Sequence, residues 1–154
     1  MKKIFSILLT LSLCLGLSTS VFAAVTTEKH AEGLQLIEQA NLEIEEMIEQ
    51  AVAEADELQG NYDAELNEVN AKLKITTDGK QQSELNKEID KLTKVYNKEL
   101  DKIIHSVYKE TFKLSKETIK EAAKYGIIAE CYWVEVTFAD RTVMIDPIRV
   151  VGEN

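Results

Sequence analysis

From Thr27 onward, apolar residues recur three and four positions apart: Leu34, Ile37, Ile44, Ile48, Ala51, Ala55, Leu58 and Tyr62, with Asn41 holding one place in the series. Helical side chains at these spacings share one face, so the series is the a/d seam of a long helix, kept over four heptads. Leu36, Leu42, Met47 and Val52 widen the stripe beyond what a strict two-stranded seam needs. The series runs on through Leu66, Val69 and Leu73, but the steps 58, 62 and 66 are four and four. Such an insertion is a stutter, and it locally unwinds a supercoil. Gly60 and Asn61 stand beside it, where the helix would kink most easily.

The rhythm stops at ITTDGK, residues 75 to 80. This is turn chemistry: Gly79 is free to take positive φ, and Thr77 or Asp78 can cap the next helix. A second series follows, Leu85, Ile89, Leu92, Tyr96, Leu100, Ile103, Val107, Thr111 and Leu114, with its own four-and-four step at 92, 96 and 100. It continues through Ile119, Ala122 and Ala123 to Tyr125, and the pattern leaves a break near Ser115 open. Gly126 follows Lys124 as a C′ residue, with Ile127 placed for the accompanying apolar contact. The stutters fall at Tyr62 and Tyr96, and their midpoint, residue 79, lies in the turn. An antiparallel hairpin, with helices over about 27–75 and 80–125, would set the two irregularities opposite each other.

The period then changes. CYWVEVTFADRTVMIDPIRVV, residues 131 to 151, alternates in the manner of strand. Tyr132, Val134, Val136 and Phe138 point one way, and Trp133, Glu135 and Thr137 the other. In the returning strand Val143 and Ile145 share a face, with Thr142, Met144 and Asp146 opposite. A two-residue loop at Ala139-Asp140 pairs Val136 with Val143 and Val134 with Ile145. A loop at Asp140-Arg141 keeps the same faces, whereas a one-residue slip would mix them. Pro147 lacks a donor and marks an edge or an end. The aliphatic face is expected to close the open end of the helical hairpin. The other face carries a candidate interaction surface of Trp133, Met144, Glu135, Asp146 and Ile148, apolar groups inside a charged border. Its competing role is a second core face, covered by Ala24 to Thr27 or by another subunit.

The fold class is therefore mainly α, in the α+β sense: a long antiparallel helical hairpin or coiled coil, then a C-terminal two-stranded antiparallel β-hairpin. The divisions are 1–23, 24–125 and 126–154. The first is read as an export signal. Lys2 and Lys3 precede an uncharged apolar run from Ile4 to Leu17, and Val21-Phe22-Ala23 suits cleavage after Ala23. No later segment approaches the roughly 20 apolar residues of a membrane span. The expected location is secreted or extracytoplasmic.

Charge sharpens the hairpin. Residues 24–70 hold 13 acidic residues against Lys29 alone, whereas residues 71–125 hold 13 lysines against 9 acidic residues. Acidic and basic helices are expected to attract across the hairpin and to disfavour parallel pairing of two first helices. Exposed pairs contribute only about 0.2–1 kcal/mol each, so the apolar seam is expected to hold the fold. An acidic first helix also argues against nucleic acid.

Chemistry is sparse. His30 and His105 are the only histidines, too few for a histidine-based metal site, and His105 is expected at the edge of the core. After signal removal Cys131 is the only cysteine, so no internal disulfide forms, and a structural strand position is expected for it. Glu43, Glu45, Glu46 and Glu49 read as a solvated face, with weak Ca²⁺ binding as the sharper alternative. No motif of nucleotide, metal or hydrolase chemistry occurs. The expectation is a non-enzymatic exported protein without cofactor, acting through a protein partner or by self-association as a homodimer. The alternative is an extracytoplasmic holdase-like chaperone or inhibitor gripping clients between helices.

Overall fold

The computed structural model describes residues 23–153. The expected export segment lies outside the described residues apart from Ala23, where helix α1 (Ala23–Ile75) begins. Helix α2 spans Gly79–Ala122 and runs unbroken through Ser115. Asp78 caps it, its Oδ1 accepting from Lys80 N at 2.9 Å, while Gln82 Nε2 donates to the Thr76 carbonyl at 2.7 Å and ties the new helix to the end of the old one. A 3₁₀ turn, Ala123–Tyr125, ends the helical part, and Gly126 follows at φ 79° as the left-handed C′ residue.

The helices form the expected antiparallel hairpin. Its stutters meet: the Tyr62 and Tyr96 rings stack with centroids 4.5 Å apart and planes 15° apart, and the Tyr62 hydroxyl lies 3.0 Å from Thr93 Oγ1. Aromatic rings fill the space where both seams unwind together. The expected attraction between the helices takes no direct form. Among the described residues no ion pair joins α1 to α2. Their ion pairs are internal, as in Glu68–Lys72 and Glu99–Lys102, or run to the β structure, as in Asp101–Arg141. One flank of the seam carries the β structure, and the side chains lining the other include Glu54, Glu57, Glu99 and Glu110, with Lys102 held by Glu99.

The C-terminal segment is longer and less simple than one flat hairpin. Strands β1 (Ile127–Cys131), β2 (Val134–Phe138), β3 (Arg141–Ile145) and β4 (Ile148–Glu153) pair as β1 with β4 and β2 with β3, all antiparallel. Cys131 opposes Ile148 and Val134 opposes Ile145, so one register runs from Ala129 to Phe138, after a one-residue shift between Ile128 and Ala129. They are one ribbon, bridged where Tyr132 N donates to the Pro147 carbonyl at 3.0 Å. The loop is Ala139-Asp140 and pairs Val136 with Val143. Only Ala139 has positive φ among the described non-glycine residues, 53°, the φ signature of a type II′ turn, a position where glycine is the easier residue.

The ribbon turns over at its bridge. In β2 and β3 the buried side chains are Val136, Phe138 and Ile145, as the alternation requires. In β1 and β4 they are Ile127 and Ile148, which have the opposite parity. The strands also exchange helices: β1 lies chiefly against α2 and β4 against α1, whereas β2 lies on α1 and β3 on α2. A half-turn about the long axis does both at once. Two-stranded ribbons twist strongly, and Pro147 removes one ladder bond at that point. The ribbon therefore does more than close the open end. Its first pair packs there with Ile37, Ala40 and Ala122, and its second runs back along the hairpin to Ala51, Ala55, Tyr96 and Leu100.

A polar seam residue, Asn41, and a small residue just before the seam, Gly33, make this docking possible. Asn41 donates from Nδ2 to the Ile148 carbonyl at 2.8 Å and accepts from the Ile148 amide at 2.9 Å, standing in for a neighbouring strand. At Gly33 an added Cβ would stand 2.7 Å from Tyr125 Cβ and 2.8 Å from Ile127 Cγ1. Asn41→Leu should make the seam more apolar yet lower stability by about 1–3 kcal/mol, because the Ile148 amide and carbonyl lose their partner; urea unfolding checks this. Gly33→Ala is expected to lower the melting temperature despite its better helix propensity, since the crowding costs about 1–3 kcal/mol against about 1 gained.

Candidate interaction surfaces

The five residues expected to form one surface separate. Trp133, 59% exposed, and Met144, 41% exposed, share the outer face of the ribbon with exposed Glu135. Glu135 is directly opposite Met144, and Trp133 stands one residue before β2, two positions from Glu135 in the same alternation. Thr137 and Thr142 continue this face, their hydroxyls 3.1 Å apart. Asp146 and Ile148 do not belong to it. They are 1% and 2% exposed, because the turnover at Pro147 carries both inward. Alternation extended in one plane through the proline would have left them outside.

Asp146 sits in a small polar cluster between the ribbon and α2. Ser115, itself fully buried, donates to the Asp146 backbone carbonyl at 2.9 Å, while the carboxylate Oδ1 has no hydrogen-bond partner. Burial holds the Asp146 carboxyl above the usual carboxylate range, opposed by its own backbone and by the neighbouring Cys131 thiol. Burial, and then the adjacent Asp146 carboxylate, pushes the Cys131 thiol up. A thiol kept protonated is a weak nucleophile. Cys131 is half-buried in β1, consistent with a structural place. At the ribbon tip, Arg141 reaches Asp101 and Asn97 on α2. Burial, and then Asp140, pushes the neighbouring Tyr96 phenol up to about 12.

The histidines stand apart. His30 Nε2 lies 2.8 Å from Glu153 Oε1, a contact not aligned as a hydrogen bond, and it joins the start of α1 to the end of β4. His105 is exposed on α2 rather than at the core edge. Among the described residues no three His, Cys, Asp or Glu side chains converge as metal ligands, Glu43 to Glu49 included.

A second surface lies on the flank of the hairpin away from the ribbon. It is an open groove of about 700 Å³ with Met47, Ala51, Leu58, Ile103 and Val107 at its floor. The sequence gives a partial signal for it: Met47 lies off the strict seam, in a stripe too wide for two helices. The side the ribbon takes is set by its contacts with the helices.

No family model matches the chain, and no curated protein or solved structure matches it.

The raised carboxyl of Asp146 gives a pH test. Between the ordinary carboxylate value of about 3.9 and the raised folded one, the folded chain keeps a proton that the unfolded chain has lost. Stability from this group therefore falls as pH rises through that window, and the penalty is complete above it. Asp146→Asn should be more stable than wild type at pH 7 and should lose that advantage at about pH 3, below the unfolded value. Urea midpoints at the two pH values measure it. An advantage that persists at the lower pH would show that ionisation is not its source.

Proposed function

We propose that the chain is an exported, non-enzymatic protein-interaction module: a rigid helical hairpin braced on one flank by its own β-ribbon, with the outer face of the ribbon offered to a partner. The observation that carries this reading is the division of the ribbon. One face buries Val136, Phe138 and Ile145, while the other leaves Met144 exposed opposite Glu135, with a large exposed aromatic side chain, Trp133, just before β2. An exposed tryptophan and a flexible methionine, bordered by charge, have the composition of a binding hot spot. Export rests on the sequence of residues 1–23, and the partner is another protein or a second copy of the chain.

The apolar floor of the opposite groove favours a second reading, a holdase-like chaperone or inhibitor that retains unfolded clients. A light-scattering assay separates the two: a holdase slows aggregation of several unrelated unfolded proteins at stoichiometric amounts, and a dedicated module does not.

Trp133→Ala should leave the thermal melt within about 0.5 kcal/mol of wild type, because the side chain is largely exposed. The same change should weaken partner capture from cell-envelope extract, or self-association measured by sedimentation, by about tenfold or more. Unchanged capture and unchanged mass together would remove the ribbon face from the interface.

A further inference from the structure

The groove away from the ribbon is acidic on both banks, and on α2 this runs against the composition of the helix. Residues 71–125 hold 13 lysines, yet the bank α2 presents is Glu99, Lys102, Ser106 and Glu110. Its one lysine is already engaged, with Nζ 2.8 and 2.9 Å from the two carboxylate oxygens of Glu99. The α1 bank brings Glu54 and Glu57, both exposed and in no ion pair among the described residues. Between the banks lies the apolar floor. From Met47 to Asn61 the groove follows α1 for about 21 Å, four helical turns.

An apolar trough of this length between two antiparallel helices has the shape a third helix fills, with contacts spaced three and four residues apart. Charge selects among the helices that would fit. A second copy docking groove to groove would set acid against acid on both sides, since a two-fold contact presents the same patch twice. We propose that the groove binds an amphipathic helix of about 14 residues from a partner protein. The apolar stripe of that helix lies on Met47, Leu58 and Ile103, and Lys or Arg residues along both borders of the stripe face Glu54, Glu57 and Glu110. The proposal rests on the interaction-module reading and adds a second, chemically defined site to it. Complementary charge of this kind acts chiefly on encounter rate and on rejection of wrong partners, and the Met47 side chain can adapt to different apolar contacts.

The test is fluorescence anisotropy with the chain lacking residues 1–23 and three labelled synthetic peptides of about 15 residues. One is Leu/Lys with leucines three and four apart. The second has the same composition in scrambled order, and the third replaces each Lys by Glu. The ordered Leu/Lys peptide should bind at least about tenfold more tightly than either control, and more weakly as salt rises. Glu54→Lys with Glu57→Lys should weaken it about tenfold or more, Glu54→Gln with Glu57→Gln should weaken it less, and Trp133→Ala should leave it unchanged. Coincident circular-dichroism melts confirm that these surface variants fold.

Equal binding of the scrambled peptide would reduce the effect to bulk charge attraction and overturn the proposal. So would indifference to both pairs of glutamate variants, or dependence on Trp133. A dimer of the chain that blocks the peptide would assign the groove to a second copy, against the proposal. If no peptide binds while Trp133-dependent capture persists, the groove assignment fails alone. If capture is also lost, the interaction-module reading fails with it.

Discussion

Two α-helices lying side by side have a line of contact but no interior. Each seam residue of this hairpin can be covered on one side by its partner helix, and the rest of a stripe this wide stays wet unless a third layer arrives. That shortage organises the molecule. The chain after Gly126 supplies the third layer by running back over the helices as a ribbon, from Ile127 at the open end to Tyr96 at the stutter. Leu100, Phe138 and Ile145 are fully buried only because helix and ribbon meet there. Burial of a large apolar side chain contributes about 1.5–3 kcal/mol. Exposed ion pairs, at about 0–1 kcal/mol, are secondary, and among the described residues none spans the two helices.

A straight ribbon would not serve. Over this length its twist carries the buried face away from the helices, and the half-turn at Tyr132, Trp133, Asp146 and Pro147 restores contact by presenting the opposite face. The cost falls on polar groups. Ile148 carries an amide and a carbonyl at a strand edge, and the Asp146 carboxylate is drawn under cover with one oxygen unpartnered. The helices meet the first demand with Asn41 and hold the Asp146 backbone with Ser115. Asn41 in the α1 seam and the buried Ser115, next to Leu114 of the α2 seam, lie at nearly the same height of the antiparallel hairpin. Polar residues that would be faults in a simple coiled coil are here the hydrogen-bond partners of the turnover.

One-sided covering makes the molecule asymmetric. The flank with the ribbon is closed, stitched by Arg141 to Asp101 and Asn97. The opposite flank keeps an apolar floor between acidic banks. The lysines of α2 are almost absent from that bank, so its basic composition does not describe the groove it helps to form. The outer face of the ribbon and this groove lie on opposite flanks of the hairpin, which lets the two surfaces be tested separately.

Much of the architecture follows from spacing alone. The 3-4 rhythm, ITTDGK and Gly126 define two helices and their ends, because local periodicity and turn chemistry depend on neighbours in sequence. The matched stutters place Tyr62 against Tyr96, since antiparallel pairing about a known turn is arithmetic. The Ala139-Asp140 register and the outer placement of Trp133, Glu135 and Met144 follow from strict alternation on either side of a short loop. What alternation does not carry is the behaviour of the ribbon across Pro147. The turnover depends on twist summed along the strands and on the helices beneath them, and so the inward placement of Asp146 and Ile148 was decided only by tertiary packing. The groove is the same kind of feature. The excess width of the stripe at Met47 is in the sequence, but which flank the ribbon covers, and which glutamates then face each other across the other, depends on contacts between residues about a hundred positions apart in the chain.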